Sequence, residues 1–336
     1  MTEGVYYRTK AHSPSQKSKI FASPLWEGAK GSSAAKCSTN SNLRKRYPYE
    51  KEQTDALAAP AALSAVTALV LISVWNILVQ SLGLIPAFGL TEPTTQYYRQ
   101  VLTSETFLSS LGVSLKIAFC SAVLATVLGV LVCAALVGCR NHGIVHVVRL
   151  PILVPHAVVA VFVITICSQT GLIARGAAAL GLIADSTEFP QLLFTGSYAG
   201  VVLAYLWKEI PFVAYFVLAL MSGVSSTLGE AAENLGASPL KSFFQITLPL
   251  SLPAITKAFL IIFIFAFGGY ELPLILGATV PKALPVQAYL SYMDPNLLNR
   301  PYAMAMNGVI LLLSVVMAAL YGLLTHRLCK KIGGAA

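Results

Sequence analysis

Charged residues are scarce in this chain. Asp, Glu, Lys and Arg make up 11% of its 336 residues, whereas apolar residues make up 56%. A soluble domain of ordinary composition is about 25% charged. Because so few charges cannot cover the water-facing surface of a protein this size, the composition excludes a soluble globular protein. It predicts a chain embedded in a lipid bilayer.

Several chemical motifs are missing as well. The six cysteines form no C-x-x-C pair, and the chain contains no G-x-x-x-x-G-K-[ST] phosphate loop. Neither a zinc motif nor ATP binding by such a loop is therefore predicted. His142 and His146 are interpreted as anchors at the inner membrane surface rather than as metal ligands. No apolar run holds a nucleophile with its base, so neither an enzyme nor a cofactor is expected.

Six apolar stretches are long enough to cross a bilayer, which takes roughly 20 residues in a helix. They lie at 57–82, 107–138, 145–168, 197–224, 254–278 and 303–326. We therefore predict an all-α integral membrane protein with about six transmembrane helices. Its predicted divisions are a first transmembrane helix over 56–84, a five-span core over 107–326 and a short C-terminal tail over 327–336.

The N-terminal segment 1–55 is rich in Ser and Lys and poor in large apolar residues, which predicts a disordered basic cytoplasmic tail. This tail and anchors at the inner surface account for the net charge of +9. No basic patch lies on a folded module, so nucleic acid is not an expected partner. Membrane lipid is.

The distribution of Lys and Arg near the spans predicts the orientation, because cytoplasmic loops carry an excess of these residues. With the N-terminus inside, eleven basic residues lie near the inner face and four near the outer face, the four being Arg99, Arg175, Lys282 and Arg300. Both termini are therefore predicted to be cytoplasmic, together with the loop that precedes the fifth span.

That loop carries the most informative pattern in the chain. Thr227 and Glu230 form a T-x-x-E capping box at the start of one short helix, and Gly236 is placed to end that helix. Ser238 and Pro239 then have the cap and first-turn positions of a second helix. The pattern predicts two short helices, bent at Gly236, on the cytoplasmic membrane surface.

The same segment resembles the cytoplasmic loop of type I ABC importer permeases, the membrane subunits of binding-protein-dependent uptake systems. The shared spacing is E-A-A, three residues, G, nine residues, I-x-L-P, here Glu230, Ala231, Ala232, Gly236, Ile246, Leu248 and Pro249. The resemblance covers roughly 107–326. It implies a coupling helix that docks on a separate ATPase through Glu230, Ala231, Ala232 and Gly236. It also implies a second permease, giving a heterodimer, an extracytoplasmic substrate-binding protein and a place in a bacterial inner membrane.

Ionisable residues inside transmembrane spans are costly and usually functional. Lys208 and Glu209 in the fourth span and Tyr270 and Glu271 in the fifth are candidates for a translocation path, with Lys116 a further charge. Lining of the path and pairing within the chain both remain open for these charges. The stretches FAFGGYELPLILG and WKEIPF also resemble the polyamine, ferric-iron and thiamine branch of the family, which implies a polyamine or a similar small charged solute.

Two further questions stay open at this level. A secondary transporter driven by an ion gradient is the alternative function, although the six spans show no visible repeat of the kind common in such proteins. The small residues Ala118, Ala122, Ala125 and Gly129 form a stripe that permits close helix packing. That packing could be within the chain or against a second permease.

Overall fold

The computed structural model describes residues 49–137, 142–221, 231–232 and 234–333. The predicted tail 1–55 therefore lies largely outside the described residues, as do Thr227 and Glu230. The helices are α1 Tyr49–Ser81, α2 Gln96–Thr103, α3 Glu105–Val137, α4 His142–Leu153, α5 His156–Cys167, α6 Leu172–Ala179, α7 Ala199–Met221, α8 Pro239–Ser242, α9 Leu248–Gly268, α10 Glu271–Leu276, α11 Leu284–Tyr292 and α12 Arg300–Gly333.

Six helical segments are long and apolar enough to span a membrane, which confirms the predicted fold class. They are Ala62–Ser81, Glu105–Leu136, His156–Ala179, Ala199–Ala219, Leu240–Gly268 and Leu297–Leu323. The first of these lies at the periphery, where α1 contacts α12 and leaves side chains such as Leu63, Leu69 and Trp75 exposed.

The centre of the bundle is formed by α3, α7 and α9, which pack on one another. Ala118, Ala122 and Ala125 on α3 are completely buried in this contact. At Gly129 an added Cβ would lie 2.5 Å from Cβ of Val213 on α7. The small-residue stripe therefore serves packing within the chain, which answers the question that the sequence left open.

The fifth span begins and ends earlier than the predicted 254–278. A π-helical turn over Phe243–Thr247 joins α8 to α9, so the helix runs through Pro249 into the membrane and stops at Gly268. Pro249 follows this turn at the second position of α9, where a missing N–H is tolerated as at a helix start. The second of the two short helices predicted from the sequence is therefore continuous with the span.

The third span is interrupted as the prolines in 145–168 suggested. Helix α4 ends at Leu153, and α5 begins at His156 after an extended Pro155. A residue that precedes proline is disfavoured in the α conformation. Val154 therefore leaves the helix inside the apolar region, and its carbonyl needs a partner from another element.

The contact at Gly129 gives a testable prediction. Gly129→Ala should lower the thermal unfolding temperature of the detergent-solubilised protein, because the new methyl group would also lie 2.9 Å from the carbonyl oxygen of Ile210. Gly112→Ala on the same helix is the control, since a Cβ there meets nothing within 4 Å. It should be neutral or stabilising by up to about 1 kcal/mol. Equal effects of both substitutions would contradict this account of the packing.

Candidate functional site

Two interruptions of transmembrane helices lie at similar depth. His156 is about 17 Å from the end of α5, and Lys208 is about 14 Å from the start of α7, at 1.5 Å per residue. Lys208 interacts electrostatically with Glu271, which follows the end of α9. The break at Val154–Pro155, the middle of α7 and the break at Gly269–Tyr270 therefore meet near the centre of the membrane. Broken helices at this depth are a common feature of transporter binding sites.

Lys208 joins α7 to the first break. Its Nζ atom donates a hydrogen bond of 2.6 Å to the carbonyl oxygen of Val154, 54 residues away in the sequence. The side chain is 9% exposed. A carbonyl released by the break and an ammonium group held away from water would each be costly alone in the membrane. Their hydrogen bond offsets both costs.

The charge of Lys208 is also balanced within the chain. Glu209, the next residue, is 8% exposed, and its charge acts on Lys208. Lys116, by contrast, is exposed on α3. Among the described residues, the charges that act on Lys208 are those of Glu209 and Glu271, and Lys116 is not one of them. Of the two roles left open for Lys208, the geometry favours an internal tether.

Glu271 has a different environment. It is the first residue of α10 rather than a residue within the fifth span, and it is exposed, as is the preceding Tyr270. The Tyr270 ring stacks on that of Tyr289 in α11, with 4.8 Å between the ring centres. At Gly269 a side chain would collide with the hydroxyl of Tyr205, so glycine permits this close approach. The second break thus presents a carboxylate and an aromatic face.

Contacts with the loop before α7 hold α10 and the residues after it in place. The Phe194 N–H donates to the carbonyl oxygen of Leu276 at 3.0 Å, and the Tyr198 hydroxyl donates to the carbonyl oxygen of Pro281. Burial raises the pKa of the Tyr198 phenol, so the group keeps its proton. The stretch from Leu276 to Pro281, which follows α10, is therefore tied at both ends to the loop before α7.

His156 is a member of this cluster that sequence reasoning missed. Its ring centre lies 5.1 Å from that of Phe265, and the charges of Lys208 and Glu271 act on it. Its Nε2 atom is buried and has no hydrogen-bond partner among the described residues. A histidine that directly follows a proline in an otherwise apolar span was the available signal. Together with the four residues predicted from the sequence, His156 completes the candidate site, which thus comprises Lys208, Glu209, Tyr270, Glu271 and His156.

The segment around Gly236 has the predicted bend. Gly236 has a φ angle of +93°, in the left-handed region, and the N–H of Ala237 donates to the carbonyl oxygen of Ala232 at 3.0 Å. This is the Schellman arrangement that ends a helix with glycine. The Oγ atom of Ser238 accepts a hydrogen bond from the N–H of Lys241 at 3.3 Å, which confirms the predicted cap.

An apolar face accompanies this bend. Leu235 is 89% exposed, and Leu240 and Phe244 are also exposed, as are Ala231 and Gly236. Phe243 points the other way and is buried in the main core. The segment is therefore fixed to the bundle on one side and presents apolar groups on the other.

The role of Lys208 can be tested through stability. Lys208→Met should destabilise the protein by roughly 3 kcal/mol, because it leaves the Val154 carbonyl without its donor and removes the positive charge that acts on the buried Glu209. Adding Glu209→Gln should recover part of that loss, whereas Lys116→Met should have little effect. Thermal unfolding in detergent measures all three variants. An undiminished unfolding temperature in Lys208→Met would contradict the tether.

Comparisons with known proteins agree with this architecture. Residues 132–330 match the family described as binding-protein-dependent transport system inner membrane component. The putrescine transport system permease protein PotI of Escherichia coli (strain K12) is 28% identical over 206 residues, 59% of this chain and 66% of that protein. The chain thus spans just under two thirds of that relative. The probable sulfate transport system permease protein cysT of Nephroselmis olivacea is 26% identical over 230 residues, 68% of this chain and 78% of that protein.

The fold also resembles a solved structure. A chain in the crystal structure of a bacterial ABC transporter involved in the import of the acidic polysaccharide alginate superposes with a TM-score of 0.66. The identity is 18%, and the match covers 83% of this chain and 98% of that one. With six membrane-spanning segments and a family match over more than half its length, this chain belongs to the family of binding-protein-dependent transport system inner membrane components.

Proposed function

We propose that the chain is the permease subunit of an ATP-driven import system and forms the path for a solute across the inner membrane. The observation that carries this proposal is the bent cytoplasmic segment, which exposes Leu235, Leu240 and Phe244 beside the left-handed Gly236. Apolar side chains exposed beside a rigid bend suit a protein partner rather than water. Glu230, Ala231, Ala232 and Gly236 are the proposed contacts with that partner.

The partner is a cytoplasmic ATPase subunit. The chain has no phosphate loop of its own, so hydrolysis in another subunit would supply the energy for alternating access. A second permease subunit, in a heterodimer, and an extracytoplasmic substrate-binding protein complete the proposed system. The exposed apolar surface of α1 is suited to contact with lipid and with the second permease. The five-span core 107–326 is the proposed transport domain.

The candidate site, called the midplane cluster below, is the proposed section of the path. It consists of His156, Lys208, Glu209, Tyr270 and Glu271. Lys208 and Glu209 would form its fixed wall, while Tyr270 and Glu271 would face the solute. The two curated relatives bear the names of solutes of opposite charge, putrescine and sulfate. The charge of the solute must therefore be argued from the side chains of this chain.

Reconstitution distinguishes this function from an ion-gradient transporter. The complete system, purified with its ATPase and second permease and supplied with its binding protein, is placed in sealed vesicles with all ion gradients collapsed. Uptake should then require ATP on the side of the ATPase subunit. Uptake that needs an ion gradient and ignores ATP would overturn the proposal.

Substitutions at Gly236 test the coupling contact. Gly236→Val should cost about 1–2 kcal/mol locally, because a side chain disfavours the left-handed conformation. It should thereby reduce both ATPase co-purification and uptake severalfold. Gly236→Asn is the matched control and should keep most of both activities, since Asn tolerates this conformation. No neighbouring atom lies within 4 Å of an added Cβ, so crowding does not confuse the comparison. Wild-type coupling in Gly236→Val would contradict the docking role.

The orientation gives a separate prediction. A reporter that is active only in the cytoplasm should be active when fused at the C-terminus and silent when fused next to Asp185, in the loop between α6 and α7. The excess of basic residues near the predicted inner face is the reason. The reverse pattern would place the bent segment outside the cell and remove the basis for ATPase docking.

A further inference from the structure

The charges of the midplane cluster differ in what they face. Lys208 and Glu209 are buried, adjacent and opposite in sign, and Nζ of Lys208 is occupied by the Val154 carbonyl. Glu271 is exposed at the first position of α10. The surface that a solute would meet at this break is therefore negative, although the cluster as a whole contains both signs.

The groups around Glu271 suit a particular kind of cation. Tyr270 is 38% exposed and is held in a stack on Tyr289, so one aromatic face stays available beside the carboxylate. Cations bind over such faces. His156 lies within the electrostatic reach of Glu271, but its Nε2 atom is buried, so the groups open to a solute are the Glu271 carboxylate and the Tyr270 ring.

The inference from these observations rests on the proposed transport function. Within it, we propose that Glu271 and the Tyr270–Tyr289 pair form a subsite for the ammonium group of an organic amine, the transported solute. The ammonium group would place its charge against the Glu271 carboxylate and the face of the Tyr270 ring. Lys208 is kept from the solute by its burial and by its hydrogen bond to the Val154 carbonyl.

The charge selectivity of the subsite can be measured without knowing the solute. Leu274 is 40% exposed and lies one helical turn beyond Tyr270, whose carbonyl accepts its N–H. In the complete transporter in nanodiscs, with the six native cysteines replaced, Leu274→Cys is labelled with a cationic and an anionic thiosulfonate of similar size. The cationic reagent should react about tenfold faster, after correction for the rates of the two reagents with a free thiol.

Neutral variants identify the group responsible. Glu271→Gln should reduce the preference for the cationic reagent to near unity, whereas Glu105→Gln, at an exposed carboxylate on α3, should leave it unchanged. A reporter at Leu182→Cys in the outer loop should show no effect of Glu271→Gln. Equal rates in the wild-type background, a faster anionic reagent, no labelling at Leu274→Cys or a preference that survives Glu271→Gln would each overturn the subsite.

Protection from labelling tests ammonium binding directly. Putrescine, a simple diamine, should slow the labelling of Leu274→Cys, while sodium sulfate at equal ionic strength should not. Tyr270→Phe should keep this protection and Tyr270→Leu should weaken it several-fold, because the ring face rather than the hydroxyl binds the cation. Absence of protection by putrescine would contradict the proposal.

The two proposals fail in different ways. Labelling and protection need no ATP, so a cation-selective subsite in a protein whose uptake ignores ATP would reject the import system alone. ATP-driven uptake with no charge preference at Leu274→Cys would reject the ammonium subsite alone.

Discussion

The hydrogen bond from Lys208 to the Val154 carbonyl is the interaction on which the candidate site depends. Lipid offers no donors, so a backbone carbonyl that leaves a helix in the membrane must be satisfied by the protein. Pro155 releases this carbonyl, and a lysine from another helix satisfies it. The break, the buried ammonium group and the buried Glu209 beside it are therefore one structural unit. Glu271 lies next to that unit but is exposed.

A tightly packed bundle supports the irregular parts. The completely buried alanines of α3 and the contact of Gly129 with Val213 bring α3 and α7 close together. The half-helices α5 and α10 both pack on α7. Helix α7 can thus hold the two broken helices in register at the candidate site.

The continuity of the fifth span links the bent segment around Gly236 to the candidate site. Helical structure runs from Pro239 through the π-helical turn to Gly268 and then stops beside Tyr270 and Glu271. Under the proposed function, a displacement of the bent segment by the ATPase would be transmitted along one continuous helix to the break at Gly269–Tyr270. The glycines at that break give the chain freedom to change direction there, while Tyr198 and Phe194 hold the segment beyond it.

The sequence alone determined the solvent, the number of spans and the bend at Gly236. These features depend on local properties, namely the length of apolar runs and the need for glycine in a left-handed position. The break in the third span was also visible, because proline acts on its own neighbours. Lys208, Glu209, Tyr270 and Glu271 could be selected because charges and irregular sequence are rare within spans.

The tertiary structure decided what those residues contact. The sequence predicted a separate short helix before the fifth span, but the π-helical turn joins it to α9. The span also ends at Gly268, which leaves Glu271 beyond it rather than within it. The roles of Lys208 and Glu271 also differ by burial, which depends on contacts between residues far apart in the chain. Val154 lies 54 positions from Lys208, and His156 gains its importance only from α7 and α9 beside it. The pattern of apolar and polar residues along the chain does not identify such partners, because they are set by how the helices pack.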